Sequence, residues 1–128
     1  MKLLDTTFLV DFLRGKPETK KIIEQEEILL TTQINMFEVL VGMFYKNEKP
    51  EKFLKTKFMF SNIRVLPIED MGIIRAAKIS GDLMQTGKMI DDCDCLIAGI
   101  ALSNKVSTIV TRNKKHFSRI EGIKVETY

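Results

Sequence analysis

Apolar and polar positions along this chain follow two periods, and the changes between them mark short strands and longer helices. Apolar runs of strand length fall at Lys2–Leu4, Ile28–Leu30, Ile63–Leu66, Thr108–Val110 and Ile123–Val125, each bounded by polar or turn-forming residues. Between them, apolar residues recur at three- and four-residue spacing over Phe8–Leu13, Glu18–Gln25, Ile34–Tyr45, Glu51–Phe60, Met71–Met84 and Asp92–Leu102, the period of a helix with one buried face. Strands separated by helices need right-handed crossovers. The predicted architecture is therefore an α/β three-layer sandwich, a mostly parallel sheet of about five strands flanked by helices.

Length and composition narrow the picture. The 128 residues suit one domain over 1–128 with one sizeable core. No repeat or linker interrupts it, and Pro17, Pro50 and Pro67 all fall where a turn or helix start is expected. The first apolar run, Phe8–Leu13, contains Asp11 and lacks a cleavage pattern, and no stretch approaches the roughly 18 apolar residues of a spanning helix. A cytoplasmic protein with no membrane partner is expected. Cys93 and Cys95 stand one residue apart, a spacing at which a bridge is strained and closes almost no loop. The lone histidine, His116, excludes chemistry that needs two imidazoles, so carboxylates must carry any catalysis.

The net charge of +3 says little by itself, but its distribution is uneven. Lys105 to Tyr128 holds six basic residues against two acidic ones, whereas Glu69 to Asp94 holds six acids against three bases. In open parallel sheets, chemistry collects beyond the carboxyl ends of the strands. Asp5 directly follows the first strand, and Arg112 and Asn113 follow the fourth, so these residues should share one edge. Asp5 is also well placed to cap a helix. Glu38, set in Ile34-Asn35-Met36-Phe37-Glu38-Val39-Leu40-Val41, is either an acid among apolar neighbours or the exposed side of a helix whose buried stripe is Ile34, Phe37 and Val41. Asp91, Asp92 and Asp94 open the last long helix, where the helix dipole and capping account for the first two. Asp94 shares a face with Ala98 and Ala101, small residues that let another element approach. Like charges this close require compensation, which a hard divalent cation with oxygen ligands provides.

Four segments in order carry a family resemblance over essentially the whole chain. They are Leu3-Leu4-Asp5-Thr6-Thr7-Phe8-Leu9-Val10-Asp11-Phe12-Leu13-Arg14-Gly15, Phe37-Glu38-Val39-Leu40-Val41-Gly42, Asp94-Cys95-Leu96-Ile97-Ala98-Gly99-Ile100-Ala101 and Val110-Thr111-Arg112-Asn113-Lys114-Lys115-His116-Phe117. Together they resemble a PIN domain, most closely the VapC ribonuclease toxins of toxin–antitoxin pairs. The resemblance implies a PIN-like sandwich and an endoribonuclease dependent on Mg2+ or Mn2+, with Asp5, Glu38 and Asp94 as catalytic and metal-binding acids. It places Asn113 where the family often has a fourth acid, Asp92 as an outer or bridging group, and Thr6 as a hydroxyl that orients Asp5 or the attacking water. Arg112, Lys114, Lys115, His116 and also Arg119 would face RNA phosphates. Cleavage by metal-activated water would leave a 5′-phosphate and a 3′-hydroxyl.

The resemblance also implies partners: an RNA substrate, a VapB-type antitoxin and a second copy of the chain in a homodimer. Phe37, Phe44, Phe53, Phe58, Met59 and Phe60 crowd the middle third; core packing is the expectation for each. A groove near the helices of Glu38 and Phe53–Phe60 would take an apolar antitoxin segment, a basic side chain of which reaches the acidic centre. A phosphoacceptor receiver domain is disfavoured by the absence of an acid after the third strand and a lysine after the fifth. An aspartyl-nucleophile phosphatase would need an acid at Thr7. The alternative that stands is a non-catalytic PIN-like subunit that binds RNA or a partner.

Overall fold

The computed structural model describes residues 1–128. Strand β1 (Lys2–Leu4) leads through Asp5 into α1 (Thr6–Leu13); a 3-10 turn at Pro17–Thr19 precedes the one-turn α2 (Lys20–Ile23). Strand β2 (Leu29–Thr32) runs directly into α3 (Gln33–Tyr45), followed by α4 (Pro50–Ser61), β3 (Arg64–Leu66), α5 (Asp70–Gln85) and α6 (Asp92–Ser103). Strand β4 (Thr108–Val110), the short α7 (Lys114–Phe117) and β5 (Lys124–Glu126) complete the chain. No helix is long and apolar enough to cross a membrane.

All five predicted strands form, with β2 and β5 displaced one or two residues toward the C-terminus. The expected helix over Glu18–Gln25 forms only as the turn and α2, because Glu24 to Glu27 offers no apolar side chain to bury. Helix α7 escapes periodicity altogether: four residues are too few to show one.

The sheet is wholly parallel, in the order β3-β2-β1-β4-β5. Alternation along each strand divides the core between its two faces. Leu3, paired with Leu30 and Ile109, packs with Ile97, Ile100 and Ala101 of α6. Leu4, paired with Val110, packs with Phe8, Leu9 and Leu13 of α1, Val39 and Met43 of α3, and Met59 and Phe60 of α4. The chain leaves β1 toward β2 and later returns to β4 on the other side of β1. This reversal opens a crevice at the carboxyl ends of β1 and β4, the switch point where open α/β sheets hold ligands.

Helix α3 is rotated from its expected setting. Its buried residues are Ile34, Asn35, Val39 and Met43, while Phe37 and Val41 face solvent at 63% and 48% exposure. The polar Asn35 turns inward because Thr32 caps the helix: its hydroxyl accepts from the Asn35 amide at 3.2 Å, and the Asn35 side chain returns a bond to the Thr32 amide. Core packing also fails for part of the aromatic cluster. Met59 and Phe60 are buried, but Phe37, Phe44 and Phe58 are exposed.

The close approach expected at Ala98 and Ala101 occurs one residue along. Both alanines are fully buried, and α5 crosses α6 so tightly at Gly99 that a Cβ there would lie 2.5 Å from the Ala76 nitrogen. Gly99→Ala must therefore move backbone, and we expect it to lower stability by about 2–3 kcal/mol in urea denaturation, as other overpacked sites do. Gly81→Ala, where a Cβ meets nothing within 4 Å, should instead stabilise by about 0.5–1 kcal/mol.

Candidate active site

Strand β1 delivers Asp5 to the switch point as the N-cap residue of α1, yet its side chain makes no capping bond to the helix. The carboxylate, only 4% exposed, is taken by other partners. Thr111, just past β4, donates its hydroxyl to Oδ2 at 2.6 Å, and Asn35 of α3 donates its amide to Oδ1 at 3.1 Å. Three elements thus meet on one buried carboxylate. Burial raises the Asp5 pKa above 3.8, as does the nearby charge of Asp94, against the Thr111 and Asn35 hydrogen bonds and the Thr6 amide, which lower it.

Glu38 is half-buried on α3, one turn beyond Ile34 and Asn35. Its Oε1 accepts the Thr6 hydroxyl at 2.6 Å, and Thr6 in turn accepts from Asn35 Nδ2 at 3.1 Å. The Thr6 hydroxyl, expected to orient Asp5 or the attacking water, is thus spent on Glu38, and it is the Thr6 backbone amide that reaches Asp5. Desolvation raises the Glu38 pKa above 4.5, and the charges of Asp5, Asp94 and Asp91 add to the rise.

Asp94 is buried in the first turn of α6. His116 Nδ1 lies 2.7 Å from its Oδ2, and Asn113 Nδ2 donates to the same oxygen at 3.3 Å. With Asp94 ionised, which only accepts, this contact requires the tautomer with the proton on Nδ1. Burial raises the Asp94 pKa above 3.8; the His116 contact and charge oppose this, and Asp91 reinforces it.

Metal-capable donor atoms of Asp91, Asp94 and His116 lie mutually within 4.8 Å; of the three expected ligands only Asp94 belongs to this group, and Asp5 and Glu38 stand outside it. Asp91 occupies the N-cap position of α6 without a side-chain capping bond, so the expected capping role is replaced by a place beside Asp94. Asp92 points to solvent from the first turn, outside this cluster. His116 stands as a partner of Asp94 rather than as a free phosphate contact. Lys114 and Lys115 are exposed on α7. Arg112 is exposed but ion-paired to Asp11 through Nε at 2.8 Å, and Arg119 donates to the carbonyls of Lys88 and Met89 at 3.3 and 3.0 Å, bracing the segment before α6. Cys93 and Cys95 are free thiols.

Sequence reasoning missed Asn35, Thr111 and Asp91 as site residues. Thr32-x-x-Asn35 was a legible signal, a capping pattern at the end of a strand. The donor set, carboxylate oxygens paired with no lysine or arginine, fits a hard divalent cation.

The PIN domain family model matches residues 2–123, and the chain belongs to that family. Within it, the chain groups with the VapC ribonucleases. The tRNA(fMet)-specific endonuclease VapC of Salmonella typhimurium is 28% identical over 129 residues, covering 98% of this chain and 96% of its own. Ribonuclease VapC19 of Mycobacterium tuberculosis is 30% identical over 121 residues, covering 91% and 92%. The solved VapBC2 of Rickettsia felis, bound to a DNA fragment from its promoter, shares the fold with a TM-score of 0.90 at 21% identity, covering 99% of this chain and 98% of that one. DNA-bound VapBC from Salmonella typhimurium gives 0.85 at 24%, covering 98% and 96%.

A carboxyl group with a raised folded-state pKa supports the fold fully below its unfolded value and loses that support as pH rises through the raised value. Asp5, Glu38 and Asp94 all behave this way. Metal-free protein should therefore lose stability from these groups as pH climbs from about 4 toward neutrality. Asp94→Asn is expected to raise Tm by a few degrees at neutral pH, with the gain vanishing near pH 4. In the same thermal scans, Mn2+ should raise the wild-type Tm at neutral pH and leave Asp94→Asn unchanged.

Proposed function

We propose that this chain, a single domain over residues 1–128, is a Mg2+- or Mn2+-dependent endoribonuclease, the toxin of a type II toxin–antitoxin pair acting in the cytoplasm. What supports this reading is that Asp5, Glu38 and Asp94 are each held by their own hydrogen-bond donors and feel one another's charge, Asp94 acting on Asp5 and both acting on Glu38. Asp5, Glu38 and Asp94 would hold the cation, with Asp91 beside Asp94. When bound, the cation supplies charge neutralisation and an acidified water. The protein's own part is orientation: Thr111 and Asn35 fix Asp5, Thr6 fixes Glu38, and His116 with Asn113 fixes Asp94. Water attacks phosphorus, the bond to O3′ breaks, and the leaving oxygen takes a proton to become the 3′-hydroxyl while phosphate stays on the 5′ end. Asn113, where the resemblance implies a fourth acid, is uncharged and serves here as a donor to Asp94. Arg112, Lys114 and Lys115 are exposed beyond the acids and would neutralise flanking phosphates.

The partners follow from exposed apolar surface. An open cavity of about 510 Å3 lies between α1, α2 and α4, lined by Leu4, Phe8, Phe12, Ile23, Phe58 and Ile63 among others. It would take the apolar segment of a VapB-type antitoxin, a basic side chain of which reaches the acids. This groove uses the Phe58 end of α4 as expected, but its opposite wall is α1 rather than the helix of Glu38. Phe37, Val41 and Phe44 on α3, with Met71 and Ile74 on α5, remain exposed and suit a homodimer contact.

Purified, partner-free protein incubated with mixed single-stranded and structured RNAs should cleave with Mg2+ or Mn2+ and not with EDTA. Asp5→Asn, Glu38→Gln and Asp94→Asn should each reduce the rate by more than about 100-fold, and His116→Ala by about 10–100-fold, the usual cost of losing a residue that orients a metal ligand. Absence of cleavage by folded, metal-loaded wild type would contradict the reading. Phe58→Asp should weaken inhibition by the antitoxin by at least about tenfold while RNA cleavage persists, a loss typical of an apolar anchor.

A further inference from the structure

Asp11 lies on α1 outside the acidic centre, and no step above uses it. Its side chain is 1% exposed and gathers three partners, the nearby Lys16 and, from the far end of the chain, Arg112 and Tyr128. Arg112 Nε lies 2.8 Å from Oδ2, the Tyr128 hydroxyl donates to the same oxygen at 2.6 Å, and Lys16 Nζ lies 3.3 Å from Oδ1. The Tyr128 ring packs edge-on against Phe8, with centroids 5.0 Å apart, so its hydroxyl has a fixed place. Burial pushes the Asp11 pKa upward, and Tyr128, Lys16 and Arg112 together bring it below 3.8. The Tyr128 phenol is pushed up to about 12 by its own burial and by Asp11. Asp11 is therefore an anion in place.

Stability alone is a poor reason for such a cluster, since buried ion pairs gain little over apolar residues of similar volume. Its layout points elsewhere. The anion is inside and both cations face out, with Arg112 at 52% and Lys16 at 44% exposure, so one anion and two cations leave a positive outer face. The backbone sets where that face lies. The Arg112 amide donates to Thr7 Oγ1 at 3.0 Å, and its chain neighbours are Thr111, which holds Asp5, and Asn113, which holds Asp94. Arg112 thus stands on the rim of the acidic crevice. Its Nε is committed to Asp11 and the guanidinium also reaches the Tyr128 hydroxyl, while the head as a whole stays 52% exposed on the solvent side. A guanidinium fork matches a phosphate bidentately, and one already anchored loses less freedom on binding than a free lysine.

We propose that Asp11, with Tyr128, is a positioning residue that aims Arg112 at an RNA phosphate flanking the scissile bond. This rests on the ribonuclease reading above. The test is fluorescence anisotropy of a short labelled single-stranded RNA of mixed sequence, with Ca2+ in place of Mg2+, over a range of salt. Arg112→Ala and Asp11→Asn should each raise Kd by about tenfold at low salt, the usual worth of a charge-assisted hydrogen bond. Each should also lower the slope of log Kd against log salt by about 0.7, the value for one phosphate contact on a single strand. The double variant should bind no more weakly than Arg112→Ala alone, and in cleavage assays the Asp11→Asn loss should fall on KM.

A merely structural Asp11 would lower Tm and leave the salt slope untouched, and that result overturns the proposal. So does a double variant about 100-fold weaker than wild type, the product expected of independent sites. Tyr128→Phe keeps the contact with Phe8 and removes only the hydroxyl, so it serves if Asp11→Asn fails to fold. It should raise Kd about threefold, because it removes one donor that fixes Asp11 and leaves the Arg112 contact in place, and an unchanged Kd counts against the proposal. Failure of the two readings is distinguishable. Wild type that binds this RNA but never cleaves with Mg2+ or Mn2+ contradicts the nuclease and leaves the Asp11 comparison decisive in binding. Wild type that cleaves, beside an Asp11→Asn that binds normally, contradicts only the positioning role.

Discussion

A buried carboxylate at the point where the strand order reverses governs this molecule. Asp5 is 4% exposed, and an ionised carboxylate at that depth requires donors or a counter-charge. The fold supplies donors from three directions: Thr111 from the end of β4, Asn35 from the start of α3, and the Thr6 amide from α1 itself. Each donor has a cost in placement. Thr111 must emerge beside Asp5, which the pairing of Leu4 with Val110 ensures. Asn35 must turn inward, which its reciprocal bonds with Thr32 ensure. Strand register, helix entry and site geometry are thus one arrangement seen at three scales.

The remaining acids extend this arrangement without relieving it. The charge of Asp94 raises the Asp5 pKa, and the charges of Asp5 and Asp94 raise that of Glu38. No lysine or arginine pairs with any of the three; their partners are the hydroxyls of Thr111 and Thr6, the amides of Asn35 and Asn113, and the imidazole of His116. The nearest guanidinium, Arg112, is turned onto Asp11. A site whose cations are held back while its anions converge is electrostatically unfinished, and a divalent ion is the species whose charge and oxygen preference complete it. The PIN-domain family to which the chain belongs agrees with that reading.

Much of the scaffold was legible in the sequence because its signals are local. Strands β1 and β4 are short apolar runs followed at once by polar residues, so Asp5 and Asn113 could be placed on one edge before any packing was known. Asp94 stood out as the acid that capping did not explain, and it proved buried. What stayed hidden depends on long-range pairing. Helix periodicity puts apolar residues inside, so it could not foresee that α3 buries Asn35 and exposes Phe37. Pairing of Asp94 with His116 depends on α7, which is too short to show a period. Asp11 looked like an interruption in an apolar run; its partner Tyr128 lies 117 positions away, beyond any local pattern.

The central claim is that Asp5, Glu38 and Asp94 form one divalent-cation centre. Crystals of the wild-type protein grown or soaked with Mn2+, measured for anomalous scattering at the manganese edge, test it most directly. The account predicts an anomalous peak in the crevice with oxygen ligands from Asp5 and Asp94 and with Glu38 facing it. A peak held by Asp91, Asp94 and His116 with Asp5 uninvolved, or no peak at saturating Mn2+, would contradict it.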